Sequence, residues 1–136
     1  MAVYTIGAGI WLTGATWVLS HYFLMRNGPF GPAPNPLEFW ARAAHGAFAF
    51  AALWLFGVLW GAHVFDGWRS LRRRWSGGLM FGLSALLVLS GYLLYYLGND
   101  GMIEATSLLH WGIGLASPLA FLAHRFGDKR GKEISL

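Results

Sequence analysis

Four long apolar stretches follow one another along the chain, separated by short polar breaks. They run from about Val3 to Met25, Leu37 to Phe65, Ser76 to Gly98 and Met102 to Phe126. Each reaches the roughly 20 residues that a helix needs to cross a bilayer. Within the second, Ala43 to Phe65 carries no charge. The pattern predicts an all-α protein, a transmembrane four-helix bundle forming one integral membrane domain over residues 1–136. The longest break, Arg26 to Pro36, leaves no room for a soluble domain. Four prolines fall within eight of its residues, which rules out regular helix and reads as a stiff connector. The first stretch lacks a preceding basic region and an obvious small-residue cleavage site, so a retained helix is expected rather than a signal peptide.

Composition agrees with the pattern. The chain is 56% hydrophobic and 12% charged, where a soluble domain carries about 25% charged residues. It has no cysteine. That excludes disulfides, cysteine-held iron–sulfur clusters, thiolate ligation of haem and covalent haem attachment.

The distribution of charge sets the expected orientation. Arg69, Arg72, Arg73, Arg74, Arg125, Lys129, Arg130 and Lys132 fall on one side of the predicted membrane. Arg26 and Arg42 fall on the other, with Glu38, Asp100 and Glu104. Cytoplasmic loops are rich in Lys and Arg, so both termini are expected in the cytoplasm, with the chain multi-pass in a bacterial inner membrane. The basic run then serves topology and contact with anionic membrane lipid. No nucleic acid is expected as partner, because no folded domain presents these residues. Trp40, Trp68 and Trp75 lie near the predicted helix ends and suit an interfacial belt. Trp11, Trp54, Trp60 and Trp111 lie deeper and are read as packing.

The chemistry is concentrated in histidine. An imidazole in a membrane-spanning helix is costly and marks a functional site by default. His45 and His63 are eighteen residues apart on the second stretch, five full turns at 100° per residue. His110 and His124 are fourteen apart on the fourth, about 40° from four turns. The two stretches run in the same direction, so the histidines pair by depth: His45 with His110 outward, His63 with His124 inward. Two such pairs suit two haem groups, each held by two imidazoles. Bis-histidine ligation leaves no open position on iron, so electron transfer is expected rather than oxygen activation.

The spacings differ by about 6 Å of ideal rise. Helix tilt, or a bend at Pro118, absorbs the difference in one reading. In the other, His21, near the outer end of the first stretch, replaces His45 opposite His110. The face of His110 continues through Gly114, Ser117 and Phe121 to His124. Small residues there make room for a flat macrocycle, although they also let membrane helices pack closely. Arg42 and Arg125 are candidate partners for haem propionates. Ser117, Ser90 and Ser107 are candidates to orient imidazoles.

The order of these pieces resembles that of the small four-helix bacterial di-haem b-type cytochromes, related to the membrane cytochrome b subunits of hydrogenases and formate dehydrogenases. The resemblance covers roughly His45 to Phe126. It rests on the histidine pair of the second stretch, Gly67-Trp68-Arg69 with the basic loop, Ser90-Gly91-Tyr92-Leu93-Leu94-Tyr95-Tyr96, His110-Trp111-Gly112-x-Gly114 and His124. It implies two b haems and electron transfer across the membrane. It also implies exchange with a quinone or with a redox partner, either a partner subunit or a cytochrome c.

Three functions compete at this stage. The first is an electron-transfer subunit passing electrons between a quinone pool and a redox partner. The second is a stand-alone quinol-oxidising or metal-reducing cytochrome, with His21, Tyr95, Tyr96, Asp100 or Glu104 handling protons. The third is a haem-free structural subunit that uses its histidines as polar contacts between helices.

Overall fold

The computed structural model describes residues 1–69 and 74–126. Arg72, Arg73, Lys129, Arg130 and Lys132, and the side chain of Arg74, lie outside what is described. Four helical runs are long and apolar enough to cross a membrane: Ala2–Phe23, Pro36–Arg69, Trp75–Tyr96 and Asp100–Phe126. The all-α class and the number of spans are those the hydrophobic pattern predicts. The chain divides into two compact units, Met1–Gly57 and Val58–Leu136.

The first unit holds α1 (Ala2–Phe23), a short hairpin of β1 (Arg26–Gly28) and β2 (Gly31–Ala33), and α2 (Pro36–Leu59) as far as Gly57. The proline-rich connector is therefore more ordered than the sequence alone suggests. Its strands pair antiparallel, with Arg26 opposite Ala33 and Gly28 opposite Gly31. Gly31 sits at φ 113°, which an L side chain tolerates poorly, so glycine suits this end of the turn.

Asn35 fastens the connector to both helices. Its side-chain oxygen accepts from the Leu37 amide at 2.9 Å, capping α2 just ahead of Pro36 at the first helical position. Its side-chain nitrogen donates to the Leu24 carbonyl at 3.1 Å, just past the end of α1. Asn35→Ala removes both bonds. A loss of about 1–2 kcal/mol is expected, seen as a lower midpoint in thermal unfolding of the detergent-solubilised chain. An unchanged midpoint would show that the hairpin holds the two helix ends without it.

The second unit holds the remainder of the second span, then α4 (Arg74–Tyr96) and α5 (Asp100–Phe126). The span does not end at Phe65. It passes through a π turn, Trp60–Val64, into α3 (Phe65–Arg69). A π turn takes more residues per turn than an α-helix. The even 100° step behind the eighteen-residue histidine spacing therefore does not run through it. α4 starts and stops two residues earlier than predicted. α5 starts at Asp100 because Asn99 caps it, its side-chain oxygen taking the Met102 amide at 3.1 Å. Asp100 also places negative charge in the first turn, where the helix dipole favours it. Pro118 is accommodated inside a helix that continues to Phe126.

Burial is inverted relative to a soluble protein. Ala41 is the one buried hydrophobic residue among those described, whereas the buried polar residues are Ser20, Glu38 and Ser90. Large apolar side chains line the outside, as lipid requires. Trp54 and Trp60 belong to that outer surface, 69% and 50% exposed, and Trp60 packs against Phe81 with ring centroids 5.3 Å apart.

Candidate functional site

Three of the five histidines rest in the same kind of seat. Each has Nδ1 beside a hydroxyl, and the residue after that hydroxyl is a glycine set against the imidazole edge. His45 meets Thr13 at 3.2 Å, and a Cβ on Gly14 would stand 3.1 Å from its Cε1. His110 meets Ser90 at 2.8 Å, with a Cβ on Gly91 3.2 Å from its Cε1. His124 meets Ser76 at 3.0 Å, with a Cβ on Gly77 at 3.8 Å. At Gly14 and Gly91 a side chain would have to displace the ring.

The seats of His45 and His110 also fix the tautomer. Nδ1 of His45 lies 3.0 Å from the Ile10 carbonyl, which can only accept, so Nδ1 carries the proton. Thr13 donates its own hydroxyl proton to the Gly9 carbonyl at 2.7 Å and leaves a lone pair for His45. Ser90 likewise donates to the Leu86 carbonyl at 2.7 Å, so its oxygen accepts from Nδ1 of His110. In the neutral ring the lone pair is then on Nε2. This is the arrangement of a metal-binding histidine whose other nitrogen is held by a hydrogen bond.

The local reason for the repeat is antiparallel register. Ser76 and Ser90 are fourteen residues apart on α4, and so are His110 and His124 on α5. A hairpin of two helices that matches Ser90 with His110 must bring Ser76 to His124. Serine also satisfies its hydroxyl on its own helix backbone, which makes it tolerable in an apolar span.

His63 has a different setting. It lies on the π turn, its side chain exposed, with its ring centroid 6.4 Å from that of His124 and the planes at 86°. The inner pair of the sequence reading is thus brought together within the second unit.

His21 differs again. Its Nδ1 donates to Glu38 at 3.1 Å; the imidazole is 40% exposed and the carboxylate is buried. Trp17 stacks parallel on the imidazole at 4.8 Å, and Tyr22 meets it edge-on. The indole Nε1 of Trp17 is buried without a hydrogen-bond partner among the described residues.

The remaining candidates are less engaged. Arg42 and Arg125 are exposed, and the Arg125 guanidinium lies 5.5 Å from the Phe126 ring centroid. Gly114 lies where a Cβ would touch Leu87 at an ordinary 3.9 Å, which is close helix packing. Ser117 donates to the Gly114 carbonyl of its own helix at 2.8 Å. Sequence reasoning named Ser90 but missed Thr13, Ser76 and Glu38. The repeated hydroxyl-glycine dipeptide, Thr13-Gly14, Ser76-Gly77 and Ser90-Gly91, was the signal available.

Among the described residues, no group of three or more His, Cys, Asp or Glu side chains gathers as a site for a bare metal ion. No protein-family model, curated protein or solved structure matches the chain.

Proposed function

We propose that the chain is a b-type di-haem transmembrane electron-transfer protein, working between a quinone pool and a redox partner. The observation that carries this reading is the repeated seat. Three intramembrane imidazoles have Nδ1 held and the ring edge cleared by glycine, a costly arrangement for residues serving only as contacts between helices. His63 and His124 would hold one haem. From their positions along the sequence alone, His45 and His110 would be the ligands of the second.

The spacing of the inner pair is compatible with a shared metal. With a metal–nitrogen bond of about 2.0–2.1 Å, the centre of each imidazole would lie about 3 Å from the metal and the two centres about 6 Å apart. The centres of His63 and His124 are 6.4 Å apart with their planes at 86°, a separation that an edge-to-face ring contact also gives. A macrocycle supplies four nitrogens of its own, so two protein ligands suffice and no larger donor cluster is needed. When bound, the haems supply one-electron carriers, one toward each membrane face.

The protein's own groups do the rest. The hydrogen bond to Nδ1 makes each seated imidazole a more basic ligand and holds its plane. Arg42 and Arg125 offer charge to the propionates. On the charge bias described above, both termini are cytoplasmic, in a bacterial inner membrane.

The purified chain is expected to give a reduced-minus-oxidised spectrum of low-spin, six-coordinate haem b. Carbon monoxide should leave the reduced spectrum unchanged, because both axial positions are filled. An open, carbon monoxide-binding iron would refute bis-histidine ligation. A featureless spectrum would favour the haem-free structural reading.

A further inference from the structure

From the pairing of His21 with buried Glu38, we propose that this end of the first unit binds a lipid-soluble quinol and removes its proton. The proposal rests on the di-haem reading, which supplies the electron acceptor. Four histidines are taken as ligands there; His21 is the fifth, and its setting is that of an acid–base group. A carboxylate holds its Nδ1 proton at 3.1 Å, which leaves the Nε2 lone pair on a ring 40% exposed. An imidazole whose Nδ1 is held by a buried carboxylate is the arrangement of an oriented general base.

The surroundings select the substrate class. The pair lies where α1 ends and α2 begins, at the end of two apolar spans, so a substrate dissolved in lipid reaches it. Trp17 and Tyr22 line the imidazole with flat aromatic surface. The indole N–H of Trp17 is a buried donor with no partner among the described residues, and such groups call for an oxygen. A dihydroxy aromatic ring offers an acidic hydroxyl, a face to stack and a second oxygen. A carboxylate or sugar substrate does not match the buried negative charge or the aromatic lining.

The location also suits electron transfer. Glu38 and His45 are seven residues apart on α2, about 20° from two full turns and about 10 Å in rise. The carboxylate that holds the base therefore lies on the helix face that carries the proposed outer ligand. In the overall reaction the quinol loses two electrons to two ferric haems. One hydroxyl proton goes to Nε2 of His21, forming imidazolium beside the Glu38 carboxylate. The second proton is released to water, and the product is the quinone.

Binding and reduction separate this proposal from the one beneath it. A short-chain benzoquinone is titrated calorimetrically into the purified full chain, and haem reduction by the matching benzoquinol is followed by stopped flow. The wild type is expected to bind one quinone and to be reduced. His21→Gln is expected to slow reduction by about 10²-fold or more, the usual worth of a general base. Its haem count, and its full reduction by dithionite, should be unchanged. Glu38→Gln should slow reduction similarly and Glu38→Asp should restore part of the rate, which a merely structural role would not do. Trp17→Phe should weaken quinone binding by about fivefold, the worth of one hydrogen bond, with little change in maximal rate.

Loss of a haem in the His21→Gln chain would overturn the proposal, since His21 would then be an axial ligand. Wild-type rates in that variant would overturn it as well. If Glu38→Gln does not insert, the His21 variant, altered at a half-exposed side chain, carries the test. Quinone binding to a chain without haem would sink the electron-transfer reading yet retain this site; haem without quinone binding would do the reverse.

Discussion

Replacing His124 with alanine is expected to take one haem from each chain and leave the other in place. With no cysteine in the chain, nothing bonds the macrocycle covalently. The group would be held by the two histidines, by contacts to its propionates and by apolar packing. His124 is the better positioned of the two proposed inner ligands, since Ser76 lies 3.0 Å from its Nδ1 and Gly77 borders its ring. Removing it leaves His63 alone, exposed on a π turn. The haem-to-chain ratio should fall from two to about one, and His63→Ala should give the same result. If one of these variants kept both haems, the pairing of His63 with His124 would be wrong.

The second large effect is expected from a residue that cannot bind metal at all. At Gly91 even a Cβ would stand 3.2 Å from Cε1 of His110. Gly91→Val adds two further methyl groups at the same point. The ring must then leave Ser90, whose oxygen accepts from Nδ1 at 2.8 Å. Overpacking of this kind costs about 1–3 kcal/mol, and here the strain falls on a ligand. The variant should lose the outer haem and keep the inner one, read by haem count. Gly82→Val is the control on the same helix, because nothing lies within 4 Å of a Cβ there. Retention of both haems in the Gly91 variant would show that the glycine serves helix packing alone.

Much of the fold was legible because lipid imposes a strong pattern. Four apolar runs of sufficient length predict four spans, and the spans are found within a few residues of their expected ends. The errors have physical causes. The second span continues to Arg69 because a π turn and one further helical segment carry it past the last apolar residues. The connector forms a hairpin because Gly31 allows a positive φ at its turn. Neither feature has a hydrophobic period to announce it.

The histidines were also legible, since an imidazole in an apolar span is conspicuous. Their partners were less so. A serine or threonine in a helix bonds its own backbone in most settings, as Ser117 does, and one hydroxyl alone says little. The informative signal is the repeated dipeptide at matched spacing, which gains meaning only once α4 and α5 are known to be antiparallel neighbours. In the sequence Glu38 reads only as one of the few acidic residues on the outer side. Its burial depends on Asn35, whose two hydrogen bonds bring the start of α2 to the end of α1.

The central claim is that two haems are held by four histidines. Its most direct test is a pyridine haemochrome assay on the purified, full-length chain, with protein quantified independently. Two protohaems per chain are expected. A ratio of one or below would contradict the claim.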